Sequence, residues 1–394
     1  MTNFSAQPPV AAKHPTTRVF HGREFVDNYE WLRDKQSPET IAYLEAENAY
    51  TAEVTAPFAP LAEQVYQEMK SRIKETDMSV PQRNGDWWYY VRTIEGKSYG
   101  VSCRVRVGDD PWTPPTLPED GSPLPGEQVL LDLNEMAEGH EFFSLGASTV
   151  STSGRLLAFS TDTSGDERFD LRIKDLETGE LLPDTIEGAF YGATWAGEQY
   201  LFYLRVDDAW SPHQVWRHEV GTAASEDVLV YQEDDERFNL GVGGDRAEQF
   251  LYIVASSKLT SEWRAVLLET PTADFEVLWP REEGVEYDLD YAELAGRGHW
   301  VVTHNATGPN FAVGTCPVDA RVPLTELEAL VEHSADVRVE GVDTYRDFLF
   351  CAYRSGGISR LAVAPVEAGS FGALRELEFS EELYTVGLGG NPEW

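Results

Sequence analysis

From about residue 85 almost to the C-terminus the chain repeats one unit: a turn, a short aliphatic and aromatic strand, a polar loop, and another strand. Its successive forms are NGDWWYYVRT, SGRLLAFSTD, AGEQYLFYLRVD, RAEQFLYIVASS, GRGHWVVTHNA and YRDFLFCAYRSG. Superposing them puts Tyr89, Leu157, Leu201, Leu251, Val301 and Leu349 at one position, with intervals of 68, 44, 50, 50 and 48 by subtraction. The long first interval contains a Pro/Gly-rich insertion, GDDPWTPPTLPEDGSPLPGE. A period of this length, filled by four short strands, is the signature of propeller blades, each of which must stack on its neighbours to bury its two faces. A sandwich or jelly roll does not explain six near-equal repeats, and there is no Trp-Asp dipeptide of the WD40 kind. One further period past Leu349 falls at about residue 397, so ELYTVGLGGNPEW begins a seventh blade without finishing it. The expected fold is mainly β: a propeller of the seven-bladed type, with about six blades complete and the seventh truncated. An open ring exposes strand edges and apolar blade faces, so the chain reads as part of something longer.

Residues 1–80 carry a different period and read as a helical segment ahead of the propeller at 81–394. Ser37-Pro38-Glu39 offers a hydroxyl N-cap, a proline at the first helical position and an early acid. After Ala56-Pro57 and Pro60, a second helix places Leu61, Val65, Met69 and Ile73 on one face, where packing against the next domain is expected.

Charge narrows the partners. There are 31 basic and 68 acidic residues, a net of −37, which repels both nucleic acid and anionic membranes. It suits solubility in a salty or crowded cytoplasm, or attraction of Arg/Lys-rich peptides. No run approaches the roughly 18 apolar residues of a membrane span, and the first residues have no signal-peptide pattern. Cys103, Cys316 and Cys351 are too few and too irregular for a disulfide framework or a zinc site, which points to a reducing cytoplasm.

The chemistry-bearing motifs fail one by one. A Gly-x-Ser-x-Gly nucleophile turn is missed at Gly146-Ala147-Ser148, followed by Thr149-Val150, and at Gly357-Ile358-Ser359, followed by Arg360-Leu361. His140-Glu141 lacks the second histidine of a zincin helix, and His213 and His218 read as structural. Glu95-Gly96-Lys97-Ser98 lacks the upstream glycine of a P-loop, since Val91 stands there; Gly241-Val242-Gly243-Gly244 has Arg246 where a dinucleotide fingerprint needs glycine. The expectation is no cofactor, no metal and no catalytic residue within the chain. The acidic runs Glu233-Asp234-Asp235-Glu236 and Arg281-Glu282-Glu283 read as solvated loops, or as a rim drawing basic peptides toward a propeller tunnel.

Several phrases then fall in order. Asp27-Asn28-Tyr29-Glu30-Trp31-Leu32-Arg33-Asp34 resembles the DxYxWLRD segment that opens the prolyl oligopeptidase family, and Tyr43-Leu44-Glu45-Ala46-Glu47-Asn48 its first helix. Val215-Trp216-Arg217-His218-Glu219-Val220-Gly221-Thr222 resembles the VWRHxxGT blade motif of the oligopeptidase B branch, followed as there by an acidic stretch. Glu286-Tyr287-Asp288-Leu289-Asp290, Gly308-Pro309-Asn310-Phe311 and Asn391-Pro392-Glu393 continue the likeness, which covers about residues 15–394. The resemblance implies a cytoplasmic serine peptidase in which a helical N-terminus and a seven-bladed propeller cap an α/β-hydrolase domain and admit only short peptides. It further implies cleavage after Arg or Lys. The family's serine, aspartate and histidine lie C-terminal to the propeller, so they are expected beyond Trp394 and none can be assigned here.

Three readings follow. The first is the substrate-gating propeller of an oligopeptidase-B-like serine endopeptidase, inactive alone, whose partners are short basic peptides and a C-terminal hydrolase domain in cis. The second is a stand-alone propeller acting as a non-enzymatic binding module. In the third, a separately encoded hydrolase domain joins the chain in trans.

Overall fold

The computed structural model describes residues 7–118 and 120–393. The chain divides into two compact units, Met1–Glu75 and Thr76–Trp394.

The first unit is not helical throughout. Thr16–Phe20 pairs with Arg23–Asp27 as an antiparallel hairpin, with Phe20 opposite Arg23. The two loop residues, His21 and Gly22, have φ of 49° and 74°. A two-residue loop with positive φ at both positions matches the right-handed twist of its strands, which makes His-Gly the local signal that outweighs a helical reading. Helix α1 then spans Pro38–Thr55 with Ser37 at its N-cap. The Ser37 carbonyl accepts the first helical bond from Ile41, but its hydroxyl makes no capping bond. Ahead of α1, the Trp31 indole donates to the Ala12 carbonyl at 2.9 Å and meets Tyr43 edge-on, which gives the tryptophan of the opening motif its structural role. Helix α2 spans Ala59–Lys70. Leu61, Val65 and Met69 share a face of it and Ile73 lies just beyond; all four are exposed.

The second unit is propeller-like. Its described residues form six successive antiparallel sheets, each built on a four-strand meander in which sequence neighbours are hydrogen-bonded neighbours. Sheet 1 starts with Gln82–Asn84 and Trp87–Arg92, sheet 2 with Ser144–Val150 and Leu156–Asp162, and sheet 3 with Ala193–Ala196 and Tyr200–Val206. Sheet 4 starts with Asn239–Gly244 and Phe250–Ser256, sheet 5 with Tyr287–Leu294 and Arg297–His304, and sheet 6 with Val337–Thr344 and Phe348–Ser355. Sheet 6 gains a fifth strand, Arg375–Glu376; the described residues after it, 377–393, form no strand.

The second strands are near-continuous apolar runs because both of their faces are covered. LLAFSTD of sheet 2 and YLFYLRV of sheet 3 are buried over most of their length. The six positions aligned in the sequence all fall on these second strands. Two of them, however, face the other way. Leu201, Leu251 and Leu349 point back into the core shared with the preceding sheet, whereas Val301 packs forward against sheet 6 and Tyr89 forward against sheet 2. The residue of sheet 5 facing sheet 4 is Trp300. A slip of one residue in a strand exchanges its faces, and a row of apolar residues on both faces hides the slip. A structural marker is more regular: the third-to-fourth strand register breaks at matching places, Ser102/Cys103, Val215/Trp216, Trp263/Arg264 and Val313/Gly314.

Apolar clusters fill each gap between consecutive sheets, from Leu130, Leu157 and Phe159 between sheets 1 and 2 to Val301, Leu349 and Cys351 between sheets 5 and 6. Buried polar bonds set the spacing. The Trp195 indole donates to Thr149 at 3.0 Å, and the Trp279 indole to Val322 at 2.8 Å. Tyr287 ties sheet 5 to sheet 4: its hydroxyl accepts from the Trp263 amide and donates to the Trp279 carbonyl, both at 2.7 Å. No helix among the described residues is long and apolar enough to cross a membrane.

Candidate functional site

First strands of four sheets converge on one cavity of about 790 Å³, with Asn84 from sheet 1, Gly243 from sheet 4, Asp288 and Asp290 from sheet 5, and Asp343 from sheet 6 all on its wall. Convergence of innermost strands makes this the central channel of the propeller-like unit. Gly390, Asn391 and Pro392 lie against the same wall.

Its lining is strongly anionic, with five carboxylates (Asp245, Glu248, Asp288, Asp290 and Asp343) against the single guanidinium of Arg246. Asp245 is committed to its own turn, accepting from the Gln249 amide at 3.0 Å and from the Phe250 amide. Arg246 spans the channel, donating to the Thr344 carbonyl at 2.7 Å, to Asp343 at 3.2 Å and to the Asn391 carbonyl at 2.8 Å, while its guanidinium lies over the Tyr345 ring. Asp290 accepts the Thr344 amide at 2.7 Å and stands 3.9 Å from Arg246. Burial nevertheless lifts its carboxyl to about 6. Burial also pushes up Asp245 and Asp288, the latter although its atoms reach the lumen, because low-dielectric walls surround it. Clefts lined by one sign of charge focus their field and concentrate counter-ions, here cations.

Of the residues singled out in the sequence, Asp288, Leu289, Asp290, Asn391 and Pro392 reach this channel, all from phrases that carry the family resemblance, and so does Arg246. Gly241, Val242, Gly243 and Gly244 reach it too, as an extended inner strand that keeps the wall thin rather than as a nucleotide loop. Ser148 is exposed on the first strand of sheet 2, and Gly146 before it leaves room for the Phe169 ring. Ser359 lies in the third strand of sheet 6 and His140 on an exposed turn. Among the described residues no serine hydroxyl bonds a histidine, and no group of three His, Cys, Asp or Glu is placed to hold a metal ion.

His218 is fully buried between two carboxylates: its Nδ1 lies 2.6 Å from Asp227 and its Nε2 2.9 Å from Asp184. Asp227 accepts the Tyr203 hydroxyl at 2.8 Å and Asp184 the Gly221 amide at 2.5 Å. The ring can donate from both nitrogens only as an imidazolium, and it pins sheet 3 to the last strand of sheet 2. Its carboxylate partners lie 9 and 34 positions away in the sequence. The acidic run at 233–236 is not simply a solvated loop. Glu233 is buried, 2.6 Å from Arg281, whose guanidinium also approaches Glu262 at 3.5 Å and lies over Phe238 at 4.0 Å. Arg281 thus joins both acidic runs in a tie between sheets 3 and 4; Asp234, Glu236, Glu282 and Glu283 remain exposed.

The channel acids are hard to see in the sequence. Their signal is local: in YDLDY a strand with apolar residues at every second position carries aspartates on the alternate face.

A profile described as the prolyl oligopeptidase N-terminal β-propeller domain matches residues 8–392. The chain belongs to the prolyl oligopeptidase family. It is 39% identical to dipeptidyl aminopeptidase BI of Pseudoxanthomonas mexicana, over 99% of this chain and 53% of that protein. To Protease 2 of Moraxella lacunata it is 30% identical, over 96% of this chain and 52% of that protein. Oligopeptidase B from Leishmania major superposes with a TM-score of 0.87 at 30% identity, over 98% of this chain and 55% of that one. The chain therefore spans about half the length of the relatives it matches, and the matched half is the family's propeller half.

Proposed function

We propose that this chain is the substrate-gating propeller of an oligopeptidase-B-like serine endopeptidase that admits short peptides and favours Arg- or Lys-containing ones. In this reading the propeller is of the family's seven-bladed type, with residues 1–80 as the preceding segment and 81–394 forming six blades and the start of the seventh. The serine, aspartate and histidine belong to an α/β-hydrolase domain joined in cis or supplied in trans, and the chain alone is inactive. The surroundings are cytoplasmic.

One observation carries the basic preference: five carboxylates face one guanidinium on the wall of the central channel. A peptide entering such a channel leaves water for a low-dielectric, anionic passage. A cationic side chain is stabilised there and an acidic one repelled, the more so at low ionic strength. The names of the relatives divide between aminopeptidase and endopeptidase, and a direct assay separates the two. The chain joined to its hydrolase partner is offered N-blocked and free-amino peptides containing Arg, Ala or Glu. Faster cleavage of N-blocked Arg peptides, with a rate advantage that shrinks as salt rises, is the expected outcome. Equal rates for Arg and Glu peptides would remove the gating role of the channel, and cleavage restricted to free amino termini would replace the endopeptidase reading with an exopeptidase one.

A further inference from the structure

One end of the channel is crossed by the chain itself. Residues 377–384 are tied to sheet 6, where the Leu377 amide donates to the Leu361 carbonyl and Arg360 donates to the Tyr384 hydroxyl, both at 2.8 Å. Residues 390–393 are tied elsewhere. The Asn391 carbonyl accepts at 2.8 Å from Nε of Arg246, on the turn that follows the first strand of sheet 4. Gly390 lies so close to sheet 1 that a Cβ there would come within 2.9 Å of the Gln82 side-chain nitrogen, and the Glu393 carboxylate stands 3.3 Å from Arg83. Sheets 1 and 4 are three places apart in the succession of sheets, yet Asn84 and Gly243 put both on the wall of one cavity. A segment joined to both therefore spans the lumen.

The two ends of this segment differ in how firmly they are held. Pro392 confines Asn391 to extended backbone, and the Asn391 side chain accepts the Glu393 amide at 3.3 Å, so the Asn391 carbonyl keeps its aim at the guanidinium. Arg246 is itself fixed, by the Thr344 carbonyl and Asp343 of sheet 6 and by the Tyr345 ring 4.2 Å from its guanidinium carbon. A planar guanidinium with five donors can bind three such acceptors at once. The connecting arm is the opposite case. Residues 385–389 make no hydrogen bond among the described residues. Gly387 and Gly389 have open space where a Cβ would sit and no positive φ, so neither packing nor backbone geometry demands glycine there. What glycine adds is freedom to swing.

We propose that residues 390–393 are a releasable strap across one mouth of the channel, and that Arg246 is its latch. With the latch made, that mouth is barred. With it broken, the arm at 385–389 carries the strap aside and the mouth is clear. Consecutive sheets are joined by apolar clusters, whereas the strap is held by one guanidinium bond, one ion pair and one close backbone approach. Segments with few buried contacts open at the lowest free energy, so the strap moves without unfolding a sheet. That the traffic through this mouth is peptide rests on the function proposed above; the closure itself does not.

The test uses the 394-residue chain, whose three native thiols are buried. Nitroxide labels at Gly389→Cys and Lys258→Cys, two exposed positions at the strap and at the far end of sheet 4, report their separation by double electron–electron resonance. One narrow distance population is expected with Arg246 intact, and a broad one in Arg246→Ala. Arg297→Ala, which removes an exposed ion pair with Asp319 outside the channel, is expected to keep the narrow population. A second readout uses Gly243→Cys, whose Cβ meets nothing within 4 Å on the wall just inside this mouth. Its rate with a polyethylene-glycol maleimide, relative to N-ethylmaleimide, is expected to rise at least fivefold in Arg246→Ala and to stay within twofold in Arg297→Ala. Gly390→Val pushes the strap off Gln82 with Arg246 in place, and should give the same rise if Arg246→Ala fails to fold. A folded Arg246→Ala, or failing that a folded Gly390→Val, with the narrow population and an unchanged rate ratio would overturn the strap. Absence of peptidase activity in the joined protein would count against the proposed function and would not alter these readouts.

Discussion

Replacing His218 by leucine isolates one buried polar tie between two sheets. Leucine fills most of the ring's volume, so the cavity contribution is small. What disappears are two hydrogen bonds to carboxylates, at 2.6 and 2.9 Å, in a site that is fully buried. Among the described residues, Asp227 then keeps the Tyr203 hydroxyl alone and Asp184 the Gly221 amide alone. Hydrogen bonds to charged groups contribute about 1.5–3 kcal/mol each, and stripping one partner from a buried ionic set costs roughly 3–5 kcal/mol. The two routes agree on a loss of about 3–5 kcal/mol. At roughly 2 °C per kcal/mol for a unit of this size, the melting midpoint should fall by about 6–10 °C. Thermal melts followed by circular dichroism read this directly. The triple variant His218→Leu/Asp184→Leu/Asp227→Asn is expected to recover most of the loss, because a well-packed apolar replacement of a buried ionic set is close to neutral. A shift below about 2 °C for His218→Leu, or a triple variant no better than the single one, would refute the view that this network holds sheets 2 and 3 together.

Three other outcomes follow from the same structure. Arg281→Ala leaves Glu233 buried without its 2.6 Å partner, with an expected loss of about 2–4 kcal/mol in urea unfolding; Arg281→Lys should restore less than half, since lysine cannot lay a planar guanidinium over Phe238. Gly146→Ala would put a methyl 2.4 Å from the Phe169 ring, an overpacking expected to cost about 1–3 kcal/mol in the same assay and to be relieved by Phe169→Leu. Asp290, lifted to about 6 by burial, has a folded value above its unfolded one near 4. The folded state therefore binds more protons between those values, and its stability declines as pH rises from about 4 to about 6. Asp290→Asn abolishes this and should gain on the wild type by up to about 3 kcal/mol between pH 4 and pH 7.5, measured by denaturant unfolding at both; an equal difference at the two pH values would contradict it.

The repeat was legible because the sheets share one requirement. Each second strand is covered on both faces and so must be apolar throughout, as in LLAFSTD and YLFYLRV. That redundancy also hid the direction of side chains, which is why Val301 and Leu349 coincide in an alignment but face opposite neighbours. The hairpin at 16–27 was obscured by its brevity, although His21-Gly22 is a recognisable two-residue turn. The His218 network was not legible, because its partners lie 34 and 9 positions away and only strand pairing unites them. The channel was legible in part. Aspartates at alternate positions of an apolar strand are visible in YDLDY, but that four separate strands aim their polar faces at one axis is a property of the ring, not of any segment. The acidic loops drew attention for their charge, and the tie between Glu233 and Arg281 shows why local charge is a weak guide: the pair that matters is 48 residues apart.

The most direct test of the peptidase reading is the coding sequence immediately downstream of the Trp394 codon, read in all three frames. The expected result is a set of strands that complete a seventh blade, followed by a hydrolase domain carrying Gly-x-Ser-x-Gly and, further on, an aspartate and a histidine. A downstream region with no such sequence in any frame, and no separate hydrolase partner co-purifying with the chain, would contradict that reading and leave a propeller that binds cationic peptides without cleaving them.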